Sequence, residues 1–193
     1  MRHRFACVGL LALAVAPPPF AEAQGRPDPE ASLAAQRQAM KELRFMTGHW
    51  RGSAWTLLPS GEKHTLTQTE RAGPFLDGAV TMVEGRGFDS DGKVSFNALG
   101  IISYNPATSR YTIRSYARGQ VGDFALTPAS DGFSWEIPAG PATIRYKAVI
   151  KDGMWKEVGD RIVPGQEPAR FFEMELKRIG DTDWPSVGAL GPK

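Results

Sequence analysis

The chain has 193 residues, carries a formal net charge of +2 and contains a single cysteine. A nearly balanced charge gives no electrostatic reason to expect nucleic acid or an anionic membrane surface as a partner. One thiol excludes an internal disulfide framework and any multi-cysteine metal or iron–sulfur site, so the core must hold the fold without covalent links.

The N-terminus has the pattern of a secretory signal peptide. A basic start at residues 2–4 precedes an apolar run of 12 residues, 5–16, and an A-x-A cleavage site follows at 21–23. The run is far shorter than the roughly 20 residues that span a bilayer, and it contains the lone Cys7. We therefore expect a secreted protein, located for example in the bacterial periplasm, whose soluble mature chain begins at Gln24 and has no transmembrane segment.

Residues 24–45 predict a linker followed by the one convincing helix of the chain. Asp28 is a good capping residue and Pro29 suits the first helical position. Apolar residues then recur at helical spacing: Leu33, Met40 and Leu43. We expect this stripe to pack against the body of the protein as a structural element.

From Met46 to residue 180 the pattern changes to period two, as in Phe133, Trp135 and Ile137. Such alternation is typical of strands with one buried and one solvated face. Turn signals rich in Gly, Pro and Asx residues separate the runs at short intervals, at 59–61, 89–92, 105–106, 131–132, 152–153 and 164–165. The sequence predicts an all-β fold, an antiparallel up-and-down barrel of about eight to ten strands, with a loose tail at 181–193.

The start of the first predicted strand reads Gly48-His49-Trp50-Arg51-Gly52. A Gly-x-Trp-x-Gly after a short helix resembles the opening signature of bacterial exported lipocalin-like (calycin) families of unknown function. Gly73-Pro74-Phe75-Leu76 resembles their second landmark, and residues 99–111 resemble their Gly-x-x-x-Tyr-Asp-x-x-Thr hairpin, with Asn105 in place of the usual Asp. The resemblance covers roughly residues 40–178 and implies a lipocalin-like barrel.

In that family the tryptophan closes one barrel end and a basic residue of the last strand stacks over it. The resemblance therefore implies that Gly48, Trp50 and Arg178 have a structural role in closing the barrel, with Arg178 making a cation–π contact to Trp50. More distant relatives, the nitrobindin-like proteins, bind haem through a histidine late in the chain. After residue 23 this chain has only His49 and His64, so we expect no haem and no other cofactor.

Other candidate sites have simpler explanations. Asp89-Ser90-Asp91-Gly92 lacks the later oxygen ligands and closing Glu of a calcium loop, and a hairpin turn explains it. Two isolated histidines do not make a zinc site. No Gly-x-Ser-x-Gly elbow occurs, and Glu173 and Glu175 fall on the outward face of their strand. We predict no metal ligands and no catalytic residues.

The strand 110–118 is ambiguous. Arg110, Thr112, Arg114, Tyr116 and Arg118 alternate with Tyr111, Ile113, Ser115 and Ala117. If the second set packs inward, the arginines form a solvated outer face. If the first set points inward, Arg114 and Tyr116 could clasp a ligand carboxylate, in a way that resembles intracellular fatty-acid-binding proteins.

The sequence leaves three functions open. The first is a barrel that binds or sequesters a small apolar, amphipathic or carboxylate ligand, with Arg114, Tyr116, Tyr146 and Trp135 as candidate binding residues. The second is a packed barrel without a cavity that acts as a structural or interaction module. The third is an enzyme that uses the barrel mouth, which requires a polar cluster with perturbed pKa values inside the barrel.

Overall fold

A computed structural model describes residues 28–184, so the predicted signal peptide at 1–23 and the end of the tail lie outside the described residues. The described chain begins with α1 (Pro29–Met40), which continues into a 3₁₀ helix at Lys41–Met46. The strands that follow are β1 (Gly48–Leu57), β2 (Lys63–Phe75), β3 (Val80–Phe88), β4 (Val94–Asn105), β5 (Arg110–Ala117), β6 (Gln120–Ala129), β7 (Gly132–Ala139), β8 (Ala142–Lys151), β9 (Met154–Ile162) and β10 (Ala169–Gly180).

The ten strands form one closed barrel in which each strand pairs antiparallel with the next along the chain. Closure comes from the pairing of β1 with β10, in which Trp50 lies opposite Arg178. A closed barrel leaves no strand edge without hydrogen-bonding partners. The predicted all-β, up-and-down architecture with one N-terminal helix is confirmed, and the strand number is at the upper end of the expected range. No helix within residues 28–184 is long and apolar enough to cross a membrane.

The helix begins where its capping signal predicts. The Asp28 carboxylate accepts a hydrogen bond from the Glu30 backbone N–H at 3.0 Å, and Pro29 takes the first helical position. Met40 and Leu43 are buried, whereas Leu33 is 38% exposed, so the buried stripe is shorter than the sequence pattern suggests. The hydroxyl of Tyr111 donates to the Ala39 carbonyl at 2.9 Å and ties the helix to β5.

The 3₁₀ helix and the nearest strand ends form the floor of the barrel. The largest fully buried side chains of the described residues are Trp50, Trp155, Leu43, Met46, Ile102 and Leu176. The rings of Trp50 and Trp155 meet edge to face with centroids 5.7 Å apart. The Trp50 indole also donates to the Met46 carbonyl at 2.9 Å, so it is buried without losing its hydrogen bond.

The hairpins that join β1 to β2, β3 to β4, β5 to β6, β7 to β8 and β9 to β10 lie at the other end of the barrel, away from α1. Gly61 and Gly92 adopt positive φ in two of these hairpins, as their turn sequences predict. No helix among the described residues covers this end. The barrel thus has a plugged floor and a mouth formed by hairpins.

Candidate functional site

A cavity of about 650 Å³ occupies the barrel between the floor and the mouth. This volume falls within the ~300–1,000 Å³ that is usual for small-molecule sites. Its walls are mainly apolar, with contributions from Leu66, Val83, Ile102, Ile113, Phe133 and Met174. The barrel interior is therefore only partly filled by side chains.

Two glycines of β3 make room for polar side chains inside the barrel. Gly85 pairs with Glu70 of β2, and Gly87 pairs with Gln68. A Cβ at Gly85 would come within 2.6 Å of a Glu70 carboxylate oxygen, and a Cβ at Gly87 would come within 3.1 Å of the Gln68 amide oxygen. The Gln68 amide donates to the Glu70 carboxylate at 2.8 Å. Both side chains face the cavity.

A second carboxyl group faces the cavity from β9. Glu157 is 8% exposed and lies two residues from the floor residue Trp155, on the same strand face. The Trp155 indole donates to its carboxylate at 3.1 Å. Glu70 lies opposite Trp50 in the β1–β2 ladder, so both glutamates stand directly above the tryptophan floor.

Burial makes both carboxyl groups weaker acids than usual. It raises the pKa of Glu70 to about 8, with a smaller rise from the negative charges of Glu157 and Glu84 and an opposing effect of the Gln68 hydrogen bond. It raises the pKa of Glu157 to about 7, against hydrogen bonds from the Trp155 and Trp135 indoles. A carboxyl group in an apolar site favours its neutral form. The cavity thus holds two acids that change charge near neutral pH.

An aromatic wall rises beside Glu157. Trp135 and Tyr146 stack with centroids 4.6 Å apart and an interplanar angle of 14°. Phe171 and Phe172 both meet Tyr146 edge to face. Burial, with a contribution from the charge of Glu157, raises the pKa of Tyr146 to about 12, so its hydroxyl stays protonated. Both aromatic residues predicted to bind ligand, Trp135 and Tyr146, line the cavity; their binding role stays a prediction.

The mouth carries different groups. Arg118 is exposed and its guanidinium lies 5.6 Å from the centroid of the Phe96 ring. His64 is half-buried, and Leu58 is 40% exposed. All four side chains line the cavity, which therefore opens at the hairpin end.

The inward alternative for Arg114 and Tyr116 is corrected by the structure. Ile113, Ser115 and Ala117 line the cavity, which places Arg114 and Tyr116 on the outer face of β5. There Arg114 donates to the Tyr116 hydroxyl at 2.9 Å and to the Asp123 carboxylate at 2.8 Å. Because these two side chains point away from the cavity, they cannot clasp a ligand carboxylate inside the barrel.

The three residues assigned to barrel closure lie together, although one contact differs from the expectation. Trp50 is 2% exposed and forms part of the floor. Arg178 does not stack on it but lies against Gly48, where a Cβ would come within 2.9 Å of the guanidinium Nε. The same guanidinium donates to the Thr47 carbonyl at 3.3 Å and to Asp181 at 2.5 Å. Arg178 thus fastens the first strand to the last through hydrogen bonds.

The histidines do not meet in one place. His49 lies near Asp183, with its Nε2 3.7 Å from the carboxylate, whereas His64 lies at the mouth. Within residues 28–184 no group of three or more His, Cys, Asp and Glu side chains is arranged to hold a metal ion.

In the part of the tail that the structure describes, Trp184 meets Phe75 with ring centroids 5.6 Å apart.

No protein-family model matches the chain, and no curated protein matches it. Among the solved structures that match the chain, two illustrate the shared fold. The crystal structure of Rv2717c from M. tuberculosis matches with a TM-score of 0.55 at 11% identity, covering 73% of this chain and 97% of that one. The S-type phycobiliprotein lyase CPES from Guillardia theta matches with a TM-score of 0.50 at 8% identity, covering 78% and 98%. Identities this low show the fold alone: a lipocalin-like barrel.

Proposed function

We propose that this barrel binds a small apolar or amphipathic molecule in its cavity. We also propose that the protein is exported, and that in a bacterium its destination is the periplasm. The observation that carries the proposal is the cavity of about 650 Å³ with mainly apolar walls and a few polar groups above its floor. A packed barrel would have filled this space, because side chains in protein cores leave few voids larger than a water molecule.

A neutral apolar dye tests the binding site without favouring any charged group. N-phenyl-1-naphthylamine brightens when it leaves water for an apolar site, so we expect saturable fluorescence enhancement with the wild-type protein. Ser115 lines the cavity and pairs with Gly100 of β4 on one side and Gly122 of β6 on the other. Ser115→Trp should fill part of the cavity and abolish the enhancement.

The matched control is Ser53→Trp, because Ser53 is exposed on the outside of β1. It adds the same indole to the outer face and should leave dye binding unchanged. Circular dichroism checks that both variants keep the barrel. Equal dye binding by wild type and Ser115→Trp would contradict a site inside the barrel.

Export rests on the signal-like pattern of residues 1–23 and on the resemblance of the Gly48–Gly52 signature to exported barrel families. The mass of the protein purified from a bacterial periplasm tests it directly. Cleavage between Ala23 and Gln24 should remove the first 23 residues. An uncleaved chain that stays in the cytoplasm would contradict export.

A second candidate, acid–base catalysis, is favoured by one observation. Glu157 has a pKa raised to about 7 and lies with Glu70 inside a cavity, which is where general acids and bases are found. Catalysis requires turnover that follows the ionisation of Glu157 and disappears in Glu157→Gln. A binding protein would keep its affinity for a neutral ligand in that variant.

A further inference from the structure

The charges at the floor of the cavity are of one kind. Among the described residues that line the cavity, Glu70 and Glu157 are the carboxyl groups, and both stand above the floor. The cationic lining residue Arg118 lies at the mouth, where it is exposed beside Phe96. A ligand that reaches the floor therefore meets carboxyl groups first.

Neutral donors, rather than cations, hold these carboxyl groups in place. The Gln68 amide bonds Glu70 at 2.8 Å, and the Trp155 indole bonds Glu157 at 3.1 Å. Within residues 28–184 no positively charged group contributes to the pKa of either glutamate. When they ionise, their negative charge is not neutralised by a protein cation, and a buried charge without a partner is costly.

The walls around the two acids also suit a positive charge. The stacked pair of Trp135 and Tyr146 lies beside Glu157, and Phe171 and Phe172 extend this wall toward the mouth. The face of an aromatic ring attracts cations, and the attraction grows when water is excluded. A ligand carboxylate at the floor would gain no such attraction from the ring faces.

We propose that the cavity binds amphipathic organic cations, with a protonated amine between Glu70 and Glu157 at the floor and an apolar body that extends along the aromatic wall to the mouth. This inference rests on the proposed binding function and specifies its ligand class. The amine supplies the positive charge that the floor lacks, and the carboxylates accept its N–H groups in charge-assisted hydrogen bonds.

Proton release follows from this arrangement. Burial raises the pKa of Glu157 to about 7 and that of Glu70 to about 8, so both groups are largely protonated at pH 6. A cation favours the ionised carboxylates, and binding must displace their protons. The affinity should therefore rise from pH 6 to pH 8. Tyr146 stays neutral over this range. Arg118 and His64 line the cavity at its mouth, and from there the charge of Arg118 lowers the pKa of Tyr146 by less than burial and Glu157 raise it.

Three compounds with one apolar chain and different head groups test the ligand class: dodecylammonium, dodecanol and dodecanoate, each below its micelle concentration, titrated into the full-length protein by calorimetry. A charge-assisted hydrogen bond corresponds to about a tenfold gain in affinity or more. At pH 8 we expect dodecylammonium to bind at least about tenfold more tightly than dodecanol, and dodecanoate to bind most weakly. The amine stays protonated throughout, since alkylammonium groups titrate near pH ~10.

Two variants separate the floor acids from general charge effects. The double variant Glu70→Gln/Glu157→Gln keeps side-chain size and should remove the preference for dodecylammonium while it keeps dodecanol binding. Glu136→Gln removes a carboxylate from the outer face, where Glu136 pairs with Arg145 at 2.6 Å, and should keep the preference. If the double variant does not fold, the rise in wild-type affinity from pH 6 to pH 8 is the deciding measurement.

The outcomes distinguish this inference from the function on which it rests. Binding of dodecanol with no preference for dodecylammonium, or tighter binding of dodecanoate, overturns the cation inference and leaves the barrel as an apolar ligand carrier. A preference that survives in the double variant also overturns it. Failure of all three compounds to bind contradicts the binding function itself.

Discussion

Replacing Glu157 by glutamine tests whether the carboxyl group above the floor controls the pH dependence of stability. Burial raises the pKa of Glu157 from 4.5 to about 7, so the folded chain keeps a proton that the unfolded chain releases. At about 1.4 kcal/mol per pKa unit, ionisation of Glu157 lowers the free energy of unfolding by about 3 kcal/mol. This stability is fully present below pH 4.5 and is lost as the pH rises through 7.

Glutamine matches glutamate in shape, can still accept the Trp155 hydrogen bond and does not ionise. Urea unfolding followed by tryptophan fluorescence at pH 5 and pH 8.5 measures the difference between Glu157→Gln and wild type. Because part of the wild-type loss has already occurred at pH 5, we expect the variant to gain about 2–3 kcal/mol relative to wild type between the two pH values.

The control for this experiment is Glu136→Gln, whose carboxyl group is exposed on the outer face of β7. Its stability relative to wild type should stay nearly constant over the same range. A constant difference between Glu157→Gln and wild type, or a variant that becomes relatively less stable at pH 8.5, would refute the assignment of a buried, proton-retaining carboxyl group at this position.

Three further substitutions test the floor, the cavity and the outer face. Leu176→Ala removes a fully buried side chain and should lower the free energy of unfolding by about 2–5 kcal/mol in urea; a loss below about 1 kcal/mol would contradict a tightly packed floor. Gly85→Ala adds a Cβ 2.6 Å from the Glu70 carboxylate and should weaken binding of dodecylammonium more than that of dodecanol. Equal effects on both compounds would argue against contact between the bound ammonium group and Glu70. Arg114→Ala should leave the affinity for all three compounds unchanged, whereas loss of dodecanoate binding would place Arg114 in the site.

The architecture could be predicted from the sequence because local patterns determine it. Period-two alternation between Gly or Asx turns predicts strands, and short turns permit only antiparallel neighbours. The capping group of Asp28 and the position of Pro29 locate the start of the helix. These signals depend on a few adjacent residues, so they do not require knowledge of the closed barrel.

The two acids inside the barrel could not be recognised by the same reasoning. On β2 Glu70 shares a face with apolar residues, in the series Leu66, Gln68, Glu70 and Ala72. A rule that places polar residues outward gives no single answer for this series, because two of its members are apolar and two are polar. The glycines of β3 that make room for Gln68 and Glu70 lie on another strand, so only the pairing register shows that the space exists.

The other differences also depend on tertiary contacts. An irregularity in the pairing of β10 with β9, between Arg170 and Phe172, lets consecutive residues Phe171 and Phe172 both line the cavity. Strict alternation places one of them outside. Arg178 has the expected position opposite Trp50, but the free space beside Gly48 and the Asp181 carboxylate determine where its guanidinium lies.

Native mass spectrometry of the protein purified without detergent from a bacterial host tests most directly whether the barrel carries a small molecule. Wild type and Ser115→Trp are compared before and after extraction with organic solvent. We expect a discrete excess mass on the wild-type chain that extraction releases and that the cavity-filling variant lacks. An identical excess mass on both proteins, or a bare wild-type chain that also fails to bind the neutral naphthylamine dye, would contradict a ligand site inside the barrel.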